Sequence, residues 1–161
     1  MLSLNVMIAR LGLAIVLGLI IGLEREMAGK EAGVRTAMLV SAGAALFAIV
    51  GLSLPYIISQ DPEVISAIIA HNGGFLSVIG NVVVGIGFLG AGIIIKTQEH
   101  VHGLTTAAAV WATAAVGVLV GIGLWVFGTV AAISIVVLLY LLRRFNLAPR
   151  SAGPGGPLHN A

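Results

Sequence analysis

Six of the fourteen charged residues in this 161-residue chain fall between positions 24 and 35: Glu24, Arg25, Glu26, Lys30, Glu31 and Arg35. Two carboxylates so close, Glu24 and Glu26, could present oxygens to a hard cation. Hydrated Mg²⁺ keeps several of its waters and needs only one or two carboxylates. The competing reading is a solvated loop tied by i,i+4 pairs Glu26–Lys30 and Glu31–Arg35. Each such pair is worth a few tenths of a kcal/mol. The loop reading is favoured, because three cations in the segment compete with any metal.

The run Asn81-Val-Val-Val-Gly85-Ile-Gly87-Phe-Leu-Gly90-Ala-Gly92 contains G-x-G-x-x-G. As a dinucleotide fingerprint it would need a strand-turn-helix setting and an acid about 20 residues further on. No acid follows Glu99. Inside an apolar run, Gly85, Gly87, Gly90 and Gly92, with Gly22, read better as positions of close helix packing. Asn81 is costly in lipid and should face another helix or a polar cavity. His100-x-His102 lacks the i,i+4 spacing of a two-ligand helix face, and His71 and His159 read as loop or tail residues. No nucleophile–base–orienter set is present, so no enzyme is expected.

These residues must be positioned by membrane helices. Hydrophobic residues make up 59% of the chain and charged ones 9%, with mean hydropathy +1.13. A soluble domain has about a quarter of its residues charged. The deficit argues against a soluble enzyme, a disordered regulator or a nucleic-acid binder. Net charge is only +2, and the absence of Cys excludes disulfides and thiolate-bound metals.

A spanning helix needs about 20 mostly apolar residues. The uncharged stretch from Gly103 to Leu142 is forty residues long and must reverse, most naturally at Gly121-Ile122-Gly123. Together the runs predict an all-α membrane domain over residues 1–145, with five spans at about 4–23, 36–58, 75–95, 104–120 and 124–142. Residues 146–161 are expected to be a disordered tail. Arg10 divides the first run and should snorkel toward the near headgroups. The first run has no small-x-small cleavage site and reads as retained. Asp61-Pro62-Glu63 predicts the capped start of a short interfacial helix. Seven of the eight basic residues fall in loops on one side, which places the N-terminus outside and the C-terminus in the cytoplasm.

A shift of 70 residues lays Gly33–Gly51 onto Gly103–Gly121 with nine of nineteen positions identical, Thr36/Thr106 among them. Two parallel-repeat hairpins plus a fifth helix are therefore expected. Glu24 and Arg35 become Ile94 and Thr105 in the second copy, so a Glu24–Arg35 pair across the first hairpin is expected. Arg25, Thr36, Asn81, Lys96, Thr105 and Thr106 complete the candidate polar cluster. Five short spans enclose little volume, which favours a homo-oligomer, most simply a dimer.

Gly22-Leu-Glu-Arg-Glu26, Gly33-Val-Arg-Thr36, Gly85-Ile-Gly-Phe-Leu-Gly-Ala-Gly92 and Gly103-Leu-Thr-Thr-Ala-Ala108 with Trp111 resemble the MgtC/SapB family of bacterial inner-membrane proteins. The resemblance covers residues 8–142. It implies a role in growth at low Mg²⁺, in survival inside host phagocytes for some pathogens, and, for the best-known member, restraint of the rotary ATP synthase. It implies no enzyme and no cofactor other than Mg²⁺. Many members carry a cytoplasmic C-terminal domain, whereas this sequence ends soon after Arg144. An ion channel or transporter for Mg²⁺ or a monovalent ion is the alternative.

Overall fold

A computed structural model describes residues 2–71, 74–96 and 101–145. Helices α1 (Leu4–Met27), α2 (Val34–Ile58), α3 (Pro62–His71) and α4 (Gly74–Ile93) precede a two-residue ribbon, β1 (Ile95–Lys96) with β2 (Val101–His102). Helices α5 (Leu104–Ile122) and α6 (Trp125–Arg144) follow. Among the described residues, five segments are long and apolar enough to cross a membrane: α1, α2, the segment ending in α4, α5 and α6. The helices follow the uncharged runs and extend past them, α1 through Glu24, Arg25 and Glu26 and α6 through Arg143 and Arg144, and the ribbon forms within the segment expected to be a loop. His100, His159 and the tail at 146–161 lie outside the described residues.

Helix α3 begins as its sequence predicts. The Glu63 N–H donates to Asp61 Oδ1 at 2.9 Å, and the Ile65 N–H donates to the Asp61 carbonyl. Asp61 thus satisfies N-terminal donors while Pro62, lacking one, costs nothing. At the other reversal α5 runs through Ile122 and stops at Gly123, whose φ of +99° is left-handed. The Gly123 N–H bonds to the Val120 carbonyl and the Leu124 N–H to the Leu119 carbonyl, the paired closure of a Schellman turn.

Helix α5 is the axis of the bundle and packs against α1, α2, α4 and α6. One cluster joins Ala14, Leu17 and Ile21 of α1 to Ala45, Val116, Val120 and Ala132. A second joins Val40 and Ala44 of α2 to Val110, Ala114 and Val118 of α5. Small residues let these backbones approach. A Cβ at Gly18 would lie 2.7 Å from the Ala37 carbonyl oxygen, and one at Gly22 would lie 2.6 Å from Val34 Cα. On α5, a Cβ at Gly117 would strike the Ser41 carbonyl oxygen, and one at Gly121 would lie 2.7 Å from Ala48 Cβ.

The glycine block of α4 behaves differently from expectation. A Cβ at Gly85, Gly87 or Gly92 would meet nothing within 4 Å, and at Gly90 it would make only ordinary contact with Ala107 at 3.7 Å. Among the described helix glycines, close packing is therefore the work of Gly18, Gly22, Gly117, Gly121 and Gly128. The physical reason is position: α4 lies at the margin of the bundle and turns most of its surface outward.

Candidate functional site at the charged end of the bundle

The close approach at Gly22 brings the last turns of α1 against the start of α2, and this contact buries two charges. Glu24 and Arg25 are each 4% exposed. Arg25 Nη1 lies 4.0 Å from Glu24 Oε2, and Arg25 Nη2 donates to Thr106 Oγ1 at 3.3 Å. Thr106 sits in the first turn of α5, so this bond ties the end of the first hairpin to the start of another helix 81 residues on. Among the described residues, Glu24 Oε2 and Arg25 Nε have no hydrogen-bond partner. Withdrawing an ion pair from water costs several kcal/mol per charge, and one long contact with one hydrogen bond offsets only part of it.

Glu26 is used otherwise. It is exposed, and its Oε2 accepts the Val34 N–H at 3.0 Å, capping the start of α2 where a negative charge also suits the helix dipole. Gly33 leaves room for this carboxylate, since a Cβ there would lie 2.8 Å from Glu26 Oε2. The structure therefore does not bring Glu24 and Glu26 together as a cation-binding pair. Residues two apart on a helix point to different sides, and here one is buried and the other is spent as a cap. No group of three or more His, Asp or Glu suited to a metal occurs among the described residues.

Two expected ion-pair arrangements are also replaced. Glu24 pairs with its neighbour Arg25, while Arg35 stays exposed on α2. Glu26 meets the Val34 amide in place of Lys30. The loop closes instead through its backbone, with the Lys30 N–H on the Arg25 carbonyl and the Gly29 N–H on the Glu26 carbonyl.

Thr36 and Thr106, the repeat-related threonines, border one cavity of about 290 Å³ with Glu31 and Gly92. Thr105 and Lys96 are exposed nearby in sequence, outside this lining. Asn81 is far from the charged end. It is exposed on α4, lines a largely apolar cavity between α2 and α4, and makes no hydrogen bond among the described residues.

Two polar anchors between helices have no signal in the sequence. Ser41 Oγ donates to the Ala14 carbonyl at 2.8 Å, a buried link from α2 to α1. Arg10 Nη1 donates to the Gly121 carbonyl at 2.8 Å. Arg10 is therefore held by the α5–α6 turn, in place of snorkelling to headgroups. The signal available for the tight helix pairs was the G-x-x-x-G spacing of Gly18/Gly22 and Gly117/Gly121.

The sequence model of the MgtC family matches residues 11–147. The chain is 39% identical over 146 residues to a protein of Escherichia coli K12 named "Putative magnesium transporter YhiD", covering 86% of this chain and 61% of that one. It is 43% identical over 129 residues to protein SrpB of Synechococcus elongatus, covering 75% and 66%. To protein MgtC of Brucella abortus it is 42% identical over 130 residues, covering 81% and 48%. The chain thus spans about half to two thirds of the length of these relatives. No solved structure matches.

Proposed function

The chain belongs to the MgtC family, and from that premise we propose a non-enzymatic, multi-pass protein of the bacterial inner membrane that serves magnesium homeostasis and adaptation to low magnesium. It acts through helix contacts with itself or with another membrane complex such as the ATP synthase. The observation that carries this reading is the filling of the bundle. Between the charged end and the Gly121–Gly123 turn, α1, α2, α5 and α6 interdigitate through Ala14, Leu17, Ile21, Ala45, Val116, Val120 and Ala132, and the buried hydroxyls of Ser41 and Thr113 are each spent on a backbone carbonyl. A cation crossing here would meet no row of free oxygen ligands among the described side chains, and conduction needs one. The open face of α4 supports the contact half of the reading.

In this reading the N-terminus is outside, the C-terminus is cytoplasmic, and the hairpins α1–α2 and α4–α5 are parallel repeats. The Glu24–Arg25–Thr106 cluster then joins the cytoplasmic ends of the two repeats. Growth of a magnesium-limited strain is the test of function. The wild-type gene should restore growth, and variants at Glu24 or Arg25 that still reach the membrane should not.

A transporter is the second reading. It is favoured by Glu24 Oε2, a buried carboxylate oxygen without a hydrogen-bond partner among the described residues, and by the name of the Escherichia coli relative. Flux into proteoliposomes separates the two.

A further inference from the structure

A cavity of about 530 Å³ lies between α2 and α4, with Leu39, Gly43 and Phe47 on one wall and Asn81, Gly85 and Ile86 on the other. Leu39 is 74% exposed and Phe47 62%. A Cβ at Gly43 or Gly85 would meet no atom within 4 Å, so the crevice opens sideways to the surroundings of the bundle. Its volume and its apolar walls with a single carboxamide are those of a ligand site.

The dimensions point to a lipid chain. From Leu39 to Phe47 the helix rises about 12 Å, close to the depth of one leaflet, about 15 Å as half of the hydrocarbon core. One turn beyond Leu39 the α2 wall reaches Thr36 and Arg35, where the second cavity, about 290 Å³, continues between Thr36 and Gly92. Lys30, Arg35 and Lys96 are exposed around this end. Of the acids there, Glu26 is engaged with the Val34 amide, and Glu31, which lines the cavity, faces three bases at its rim. Basic mouths between membrane helices on the cytoplasmic side suit anionic headgroups.

We propose that this crevice seats one anionic phospholipid of the adjoining leaflet, an acyl chain between Gly43 and Gly85 and the phosphate at Arg35, Thr36 and Lys96. The inference goes beyond the functional reading above and takes from it only that the charged end is cytoplasmic. The open glycines also make the test clean, because side chains added at Gly43 and Gly85 enter free space and improve helix propensity.

The full chain is reconstituted in nanodiscs of equal phosphatidylglycerol and phosphatidylcholine, released into detergent and weighed by native mass spectrometry. Wild type should retain one phosphatidylglycerol per chain in preference to phosphatidylcholine. Gly43→Leu with Gly85→Leu should lower retention at least about tenfold through lost chain contacts. Arg35→Gln and Lys96→Gln should each cut the headgroup preference about fivefold. Circular dichroism checks that each variant is folded. The proposal is overturned if the filled variant retains lipid as wild type does, or if wild type holds the two lipids alike. It is equally overturned if Asn81→Cys chains cross-link across the crevice, which would make a second copy the occupant.

Discussion

Arg25 of α1 reaches across the bundle to Thr106 of α5, with its guanidinium also 4.0 Å from the carboxylate of Glu24. All three side chains are buried. A charge in this position is retained only while its partners are present, since an unpaired buried ion costs about 3–5 kcal/mol.

Single neutralisation should therefore be worse than double. Arg25→Met or Glu24→Gln alone is expected to lower stability by about 3–5 kcal/mol, and the double variant by less than the worse single. Thr106→Val should cost about 1–3 kcal/mol, leaving Arg25 without its acceptor. Unfolding in mixed micelles followed by circular dichroism measures all four. Additive losses would show that Glu24 and Arg25 act independently.

Glycine substitutions should divide by helix. Gly117→Ala and Gly121→Ala push a methyl into α2 and should destabilise by about 1–3 kcal/mol, as overpacking does. Gly87→Ala meets open space and should be neutral or stabilising by up to about 1 kcal/mol. The same unfolding assay reads both, and equal losses at Gly87 and Gly117 would contradict the packing described.

At the opposite end, Arg10→Gln should loosen the α5–α6 turn. It removes a hydrogen bond from a charged donor to the Gly121 carbonyl, worth about 1.5–3 kcal/mol, together with a cation placed well for the end of a helix dipole. Gly123→Ala should be more damaging than Gly121→Ala is to the turn, because its φ of +99° strains any side chain and Arg10 occupies the space. Hydrogen exchange of the Gly123 and Leu124 amides reports the loosening.

Orientation has its own measurement. With single cysteines at Gln60 and at Lys30, a membrane-impermeant thiol reagent applied to intact spheroplasts should label position 60 and spare position 30. The reverse pattern would invert the topology.

The spans were legible because runs of uncharged residues state directly where lipid must lie, and Asp61-Pro62-Glu63 stated where α3 begins. The charged cluster was legible in its location and not in its pairing. The joint absence of Glu24 and Arg35 from the second repeat suggests that they pair, yet the carboxylate meets Arg25, which the contact at Gly22 buries beside it. Arg10 and Gly121 are 111 residues apart, so nothing local could join them. The glycine-dense block of α4 outweighed the two sparser G-x-x-x-G pairs that hold α1 to α2 and α2 to α5. Composition records how many small residues a helix has, whereas packing depends on which of them face a neighbour.

Magnesium influx into proteoliposomes carrying a Mg²⁺-sensitive dye is the most direct measurement. With an apolar, interdigitated bundle, purified wild-type protein should raise influx no further than empty vesicles do, with an inward gradient and potential applied. Influx clearly above that background and abolished by Glu24→Gln would contradict the non-conducting reading and make the buried carboxylate part of a transport path.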